Sequence, residues 1–280
     1  MAVVVGIVLA GISALTTASA HATVKGGDSK LAVRAWVSLI QCACCLPIAL
    51  WLGVPSIKLL PWLAAAWVLH VIYQLLIIIS YQLSDFSLAF PIARGTAPLV
   101  TVGFAALFLG EYLGSQTIMG IVILSIGIFL LGWNKNLTAK GFIAATGAGV
   151  LTALYTVVDA QGVRLAETAV HFIAWFFVLD VLGMPVVLFA LNGRKAIGML
   201  RQDRNTGIPA AFLSLISFGS ALFALDFAPA ALVSAIRETS ILLGLLIGAR
   251  LFKESIDKTR YLGAIAIAFG AIVAVYTIDF

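Results

Sequence analysis

The sequence predicts an all-α membrane protein, with ten transmembrane helices arranged as two inverted five-helix repeats. Three observations carry that expectation. Apolar residues make up 62% of the 280 and charged residues only 10%, whereas an average soluble domain is about a quarter charged. Windows of about 20 apolar residues, each long enough to cross the hydrocarbon layer, tile the chain with only short connections between them. The two halves of the chain also repeat one another. A barrel is excluded, because its strands would show alternating segments of roughly ten residues instead of unbroken apolar runs. Without water to satisfy the backbone, such runs must be helical.

The expected spans are 2–23, 31–54, 60–81, 84–110, 114–133, 140–160, 168–191, 207–226, 228–252 and 260–278. In the first, Ala18-Ser19-Ala20 resembles a signal-peptidase site, but no cation precedes the apolar run, so it is read as a membrane helix. Ser13, Thr17 and His21 form its polar stripe. The second carries Cys42, Cys44 and Cys45 with no His or carboxylate nearby, so they are read as small hydrophobes and not as a metal or redox site. The third clusters His70, Tyr73, Gln74 and Tyr81.

The fourth span contains SLAFPIARGTAPLV at 87–100. Arg94 lies about ten residues into it, or roughly 15 Å at 1.5 Å per residue, close to the middle of the bilayer. A charge there costs several kcal/mol unless it faces protein or water. Pro98 has no N–H for the Arg94 carbonyl, and Pro91 does the same to Ser87. Ser87, Pro91, Arg94, Pro98 and Thr101 share one face, which suits a wet cavity and not lipid.

Gly120 and Gly127 in the fifth span, and Gly263, Ala266 and Gly270 in the tenth, place small residues on one face for close helix packing, with a homodimer contact as the alternative. The sixth span aligns Thr152, Tyr155 and Asp159. Asp180 in the seventh and Asp226 in the eighth are expected near the interfaces. The ninth aligns Ala230, Ser234, Arg237, Gly244 and Gly248, with Glu238 about 100° around the helix from Arg237.

The repeat is explicit. Arg94, Thr96, Leu99, Glu111, Gly120 and Gly127 match Arg237, Thr239, Leu242, Glu254, Gly263 and Gly270 at one offset, 143 (237 − 94). Nearer the N-terminus the offset is 139 (153 − 14): Ala14-Leu15 matches Ala153-Leu154, Thr17 matches Thr156, Lys25 matches Arg164, and Trp36 matches Trp175. Residues 1–138 and 139–280 are the expected units. Five helices is an odd number, so the second unit enters the membrane inverted, an arrangement that places transporter substrate sites between the units.

These residues also carry a family resemblance. GGD at 26–28, YQLSDFSLAFPIARGTAPLV at 81–100, LGE ending at Glu111 and IRETS at 236–240 resemble the drug/metabolite transporter superfamily, and within it the bacterial ten-helix EamA-type members. The resemblance covers essentially the whole chain. Relatives of this type often carry a His and then Trp-Asn before the first-loop lysine, where this chain has Thr17, Ala20 and His21. The resemblance implies a secondary transporter in the inner membrane, an exporter or exchanger of a small polar or amphipathic metabolite. The alternative is a proton-coupled exporter of cationic compounds.

The residues expected at a central cavity are Arg94, Arg237, Tyr73, Tyr155, Asp159, Thr96, Glu238, His21 and Gln74. The arginines would attract an anionic group or hold counter-carboxylates from Glu238, Asp159 or Asp85, and Asp159 or Glu238 would carry protons if transport is proton-coupled. No HExxH, Walker, GxSxG or Rossmann pattern occurs. The expectation is therefore no enzyme, no cofactor, no metal and no nucleic-acid partner.

Charge and resemblance disagree on orientation. Of the 17 Lys and Arg, thirteen fall in or beside loops after odd-numbered spans, two (Lys58 and Arg164) lie on the other side, and Arg94 and Arg237 are intramembrane. Positive loops stay in the cytoplasm, which places both termini outside, whereas superfamily members are generally drawn with both inside. A reporter that fluoresces only in the cytoplasm, fused after Phe280, is expected to stay dark; fluorescence would refute the charge-based orientation.

Overall fold

The computed structural model describes residues 2–25, 27–83, 86–132, 138–243 and 258–276, and every structural statement below concerns these. Their regular structure is helical: α1 (Ala2–Lys25), α2 (Lys30–Leu52), α3 (Leu60–Leu83), α4 (Phe86–Phe104) with a π-helical extension (Ala105–Leu109), α5 (Ser115–Gly132), α6 (Ala139–Leu165), α7 (Ala169–Asp180), α8 (Met184–Asn192), α9 (Lys195–Gln202), α10 (Arg204–Phe227), α11 (Ala230–Glu238) and α12 (Lys258–Tyr276). Several starts are capped by side chains. Ser29 Oγ accepts from Ala32 N at 3.2 Å, Thr138 Oγ1 from Gly141 N at 3.1 Å, and Thr168 Oγ1 from His171 N at 3.3 Å. Such caps contribute about 1 kcal/mol each.

Seven segments are long and apolar enough to cross a membrane, and two shorter apolar helices lie at Ser115–Leu131 and Tyr261–Tyr276. The expected ninth span is described only through Leu243; it turns at Thr239 and then resumes as helix. Two departures from the expected spans are informative. The seventh is not one helix: α7 ends at Asp180, the chain turns through Val181–Gly183, and α8 starts with Pro185 in its first turn. Pro185 has no N–H for the Val181 carbonyl, so a continuous helix would leave that group unpaired. The second departure is α9, a short helix in what was read as a plain connection.

The side bearing the α1–α2 loop and α9 is called the basic face, and the side bearing Glu111 and Arg164 the terminal face. Contacts respect the repeat. α1 packs on α10 as α3 packs on α6, and α11 packs on α1 as α4 packs on α6, while α2 meets α7, α4 meets α11 and α5 meets α12. Trp36 and Trp175, equivalent by the 139 offset, make equivalent bonds. Trp36 Nε1 donates to Leu200 O at 2.8 Å, and Trp175 Nε1 donates to Gly53 O at 2.9 Å. Each indole ties its own unit to the loop of the other.

The α5–α12 contact consumes the small-residue faces inside the chain. A Cβ on Gly120 would lie 2.4 Å from Ala274 N and 2.7 Å from Gly270 O, and one on Gly127 would lie 2.7 Å from Gly263 O. Backbone cannot yield as a side-chain tip can. Gly120→Ala and Gly127→Ala should therefore destabilise the protein by about 1–3 kcal/mol. Gly11→Ala, where nothing lies within 4 Å of the added atom, should be neutral or stabilising by up to about 1 kcal/mol. Thermal melts of detergent-solubilised variants, read by size-exclusion fluorescence, check this ordering; equal melting of all three would refute it.

Candidate functional site

Residues of α1, α2, α3, α4, α6, α7, α10 and α11 enclose a cavity of about 120 Å³. It runs from Val24 and Arg34, near the basic face, to the middle of the bundle.

One wall is aromatic. The His70 ring stacks on Tyr155 with centroids 3.9 Å apart, and Phe176 and Phe218 approach it edge-on at 4.9 Å. Tyr73 meets Tyr155 at 5.4 Å. Arg237 lies against this wall, its guanidinium carbon 5.6 Å from the Phe218 centroid and its Nε donating to Ser13 Oγ at 3.2 Å. Rings over a cation satisfy part of its charge without neutralising it. Among the described residues, no carboxylate pairs with Arg237.

The other wall is polar and comes from α2 and the α7–α8 break. Asp180, the last residue of α7, accepts a hydrogen bond from Ser38 Oγ. Gln41, one turn further along α2, is buried and also faces the cavity. A helix interrupted at membrane depth is tolerated where it lines such a space.

Two lining residues, Arg94 and His70, are each held from behind by a buried carboxylate. Arg94 Nη1 donates to Glu238 Oε1 at 3.0 Å, joining α4 to α11. His70 Nε2 meets Asp159 Oδ2 at 3.0 Å, joining α3 to α6. The second oxygens of both carboxylates, Asp159 Oδ1 and Glu238 Oε2, are buried without a hydrogen-bond partner.

The terminal face is sealed. Arg164 Nη1 pairs with Glu111 Oε1 at 2.6 Å, and its Nε and Nη2 donate to Leu225 O at 3.0 Å and Ala228 O at 3.3 Å. Glu111 Oε2 accepts from Ala230 N, the first residue of α11, at 2.8 Å. Gly110 makes this reach possible, because its φ of 66° closes the π-helical turn in the left-handed region that glycine enters freely. Phe172, Phe177 and Leu222 fill the space beneath.

Residues 1–133 and 139–276 each match the model of the EamA-like transporter family. The chain belongs to that family. The assignment agrees with the superfamily its motifs resemble, and it makes the EamA-like chain a membrane transporter of the drug/metabolite type. No curated protein matches the sequence. One solved crystal structure, 17% identical, covers 98% of the EamA-like chain and 97% of its own with a TM-score of 0.76. At that identity the likeness concerns the fold.

Of the residues singled out in the sequence, Arg94, Arg237, Tyr73, Gln74 and Tyr155 line the cavity of this EamA-like chain. Asp159 and Glu238 do not line it; each is buried behind it holding a cationic or aromatic neighbour. Thr96 is also set back, with its hydroxyl bonded to Ile92 O at 2.8 Å and its side chain against Gly149. The side chain of His21 lies outside the described residues, as do those of Tyr81, Ser87, Pro91 and Lys25, and all of Asp85, Gly244, Gly248 and Glu254. Asp180, expected near an interface, lines the cavity at the α7–α8 break. Ser38, Gln41, Ser214, Ser217, Phe176 and Phe218 were not singled out. The Gly183-x-Pro185 pattern could have flagged the break and, with it, Asp180.

Removing one member of a buried pair leaves the other charge uncompensated and costs about 3–5 kcal/mol, whereas replacing both with apolar residues can be near neutral. In the EamA-like chain, Arg94→Leu and Glu238→Leu should each lower stability strongly, and the double variant should be less destabilised than their sum. A double-mutant cycle by thermal melting measures the coupling; strict additivity would refute the pairing.

Proposed function

We propose that the protein is a secondary transporter that exports or exchanges a small polar or amphipathic metabolite bearing an anionic group. The substrate would pass through the central cavity between two inverted five-helix units, 1–138 and 139–280, ten crossings in all, in the inner membrane. The observation that carries this reading is Arg237: a guanidinium in a membrane-depth cavity, held by a hydroxyl and a ring and lacking a carboxylate partner among the described residues. The balance of the lining supports it: Arg94 is neutralised by Glu238, which leaves Arg34 and Arg237 facing the space against Asp180. A low-dielectric cavity with that excess favours an anion over a cation. The aromatic wall formed by His70, Tyr73, Tyr155, Phe176 and Phe218 suits an apolar body beside the charged group. On the charge-based orientation, the cavity opens toward the cytoplasm and the Glu111–Arg164 seal lies outside.

A second reading, proton-coupled export of a cationic compound, is favoured by one observation, the buried His70–Asp159 pair beside Tyr155. One assay separates the two: flux of amino-acid, organic-anion and organic-cation panels into proteoliposomes, with and without a pH gradient. Under the first reading anions move, Arg237→Leu abolishes flux while the protein still inserts, and Arg237→Lys retains part of it, because ammonium lacks the planar two-pronged fork. Normal flux in Arg237→Leu would overturn the cavity assignment. Under the second, cations move and Asp159→Asn removes the dependence on the gradient.

A further inference from the structure

The connection between the seventh and eighth spans carries a feature that transport does not use. Arg194, Lys195, Arg201 and Arg204 are all exposed within eleven residues, on and around α9. Arg194, Ile197 and Arg201 fall at i, i+3 and i+7, so they share one side of the helix. Ile197 on that stripe is exposed, as is Leu191 just before it. The opposite side of α9 is fixed to the bundle. Ala196 is fully buried in a cluster with Ala32, Ala35 and Leu188, and Met199 and Leu200 pack against it.

The nearby carboxylates do not neutralise this surface. Asp203 is buried, and its two oxygens accept from Asp28 N at 2.8 Å and Ser29 N at 2.9 Å. Asp28 accepts from Gln202 Nε2 at 2.7 Å, and an exposed Lys30 follows it two residues on. The stripe is thus a cationic, partly apolar surface fixed between Ala169–Asn192 and Arg204–Phe227, two segments long and apolar enough to cross a membrane. The ends of such segments are where headgroups would meet it. A short helix with an apolar edge and several cations matches an anionic leaflet surface.

We propose that α9 and its flanking arginines form a binding surface for anionic phospholipid headgroups, which holds the α8–α10 connection on the membrane. Through Asp203, which grips the Asp28–Ser29 backbone, the bound lipid also steadies the α1–α2 loop beside the cavity mouth at Val24 and Arg34. Soluble acidic partners fit less well, because the exposed Ile197 and Leu191 then remain in water.

Native mass spectrometry of the full-length, detergent-solubilised protein titrated with phosphatidylglycerol, and separately with phosphatidylcholine, tests this. Phosphatidylglycerol is expected to be retained in preference. Arg194→Gln, Lys195→Gln, Arg201→Gln and Arg204→Gln should each weaken that retention roughly fivefold, whereas Lys58→Gln on the opposite face should not. Inorganic phosphate and a polyglutamate peptide should fail to displace the lipid. Wild-type retention in all four variants, equal retention of phosphatidylcholine, or displacement by polyglutamate or phosphate would each overturn the proposal. Because the readout is bound lipid, the result is independent of whether any solute is transported.

Discussion

A permanent cation inside a hydrocarbon layer must be compensated, and the architecture follows from how Arg94 is compensated. Its partner, Glu238, lies 144 residues away in the other repeat, and neither side chain reaches water in quantity. Several kcal/mol of desolvation bear on each charge, so the pair is stable only while α4 and α11 stay in contact. That contact forces the two halves to fold against each other and cannot be satisfied within either one. It also sets where space remains. Arg237 is the repeat equivalent of Arg94, yet Glu238 pairs with Arg94 and not with its neighbour in sequence. The second arginine is left to a hydroxyl and an aromatic ring at the edge of a cavity.

The two faces are closed by different means. At the terminal face, a single carboxylate, Glu111, joins three elements: the Arg164 guanidinium from the end of α6, the first amide of α11, and its own π-helical turn ending at Gly110. The α11 amide it holds lies two turns from Arg237 and Glu238 on the same helix. The seal and the buried pair are therefore carried by one nine-residue helix. At the basic face, the tie between Asp203 and the α1–α2 loop leaves the mouth open at Val24 and Arg34.

How much of this was legible in the sequence depends on whether a residue is conspicuous in its local surroundings. An arginine between two prolines in an apolar run can be read from composition alone, as can a tyrosine and a glutamine one helical turn from a histidine. Their presence at the cavity therefore came from pattern. Ser38 and Gln41 are ordinary polar residues in a helix whose three cysteines drew the eye, and nothing local marks them. Asp159 and Glu238 could be seen as intramembrane carboxylates. Which neighbour each would hold, however, is decided by helices 89 and 144 residues distant, and that places them behind the cavity wall. The α7–α8 break was missed because hydropathy over 168–191 is continuous, although Pro185 forbids the hydrogen bond a straight helix needs. α9 was missed because its apolar positions are too few to register beside membrane spans.

The repeat also explains why a symmetric scaffold makes an asymmetric site. With the same 139 offset that matches Trp36 to Trp175, Gln41 corresponds to Asp180 and Ser38 to Phe177, and all four face the one cavity. Equivalent positions of the two repeats are thus brought to one space, where a difference between the units becomes a difference between its sides. The indoles, which do structural work at the two faces, are the same in both units. At the cavity the equivalents differ, an amide where the other unit has a carboxylate and a hydroxyl where it has a ring. The cavity therefore has a polar wall of Ser38, Gln41 and Asp180 and an aromatic wall carrying Arg237, two unlike sides on one repeated scaffold.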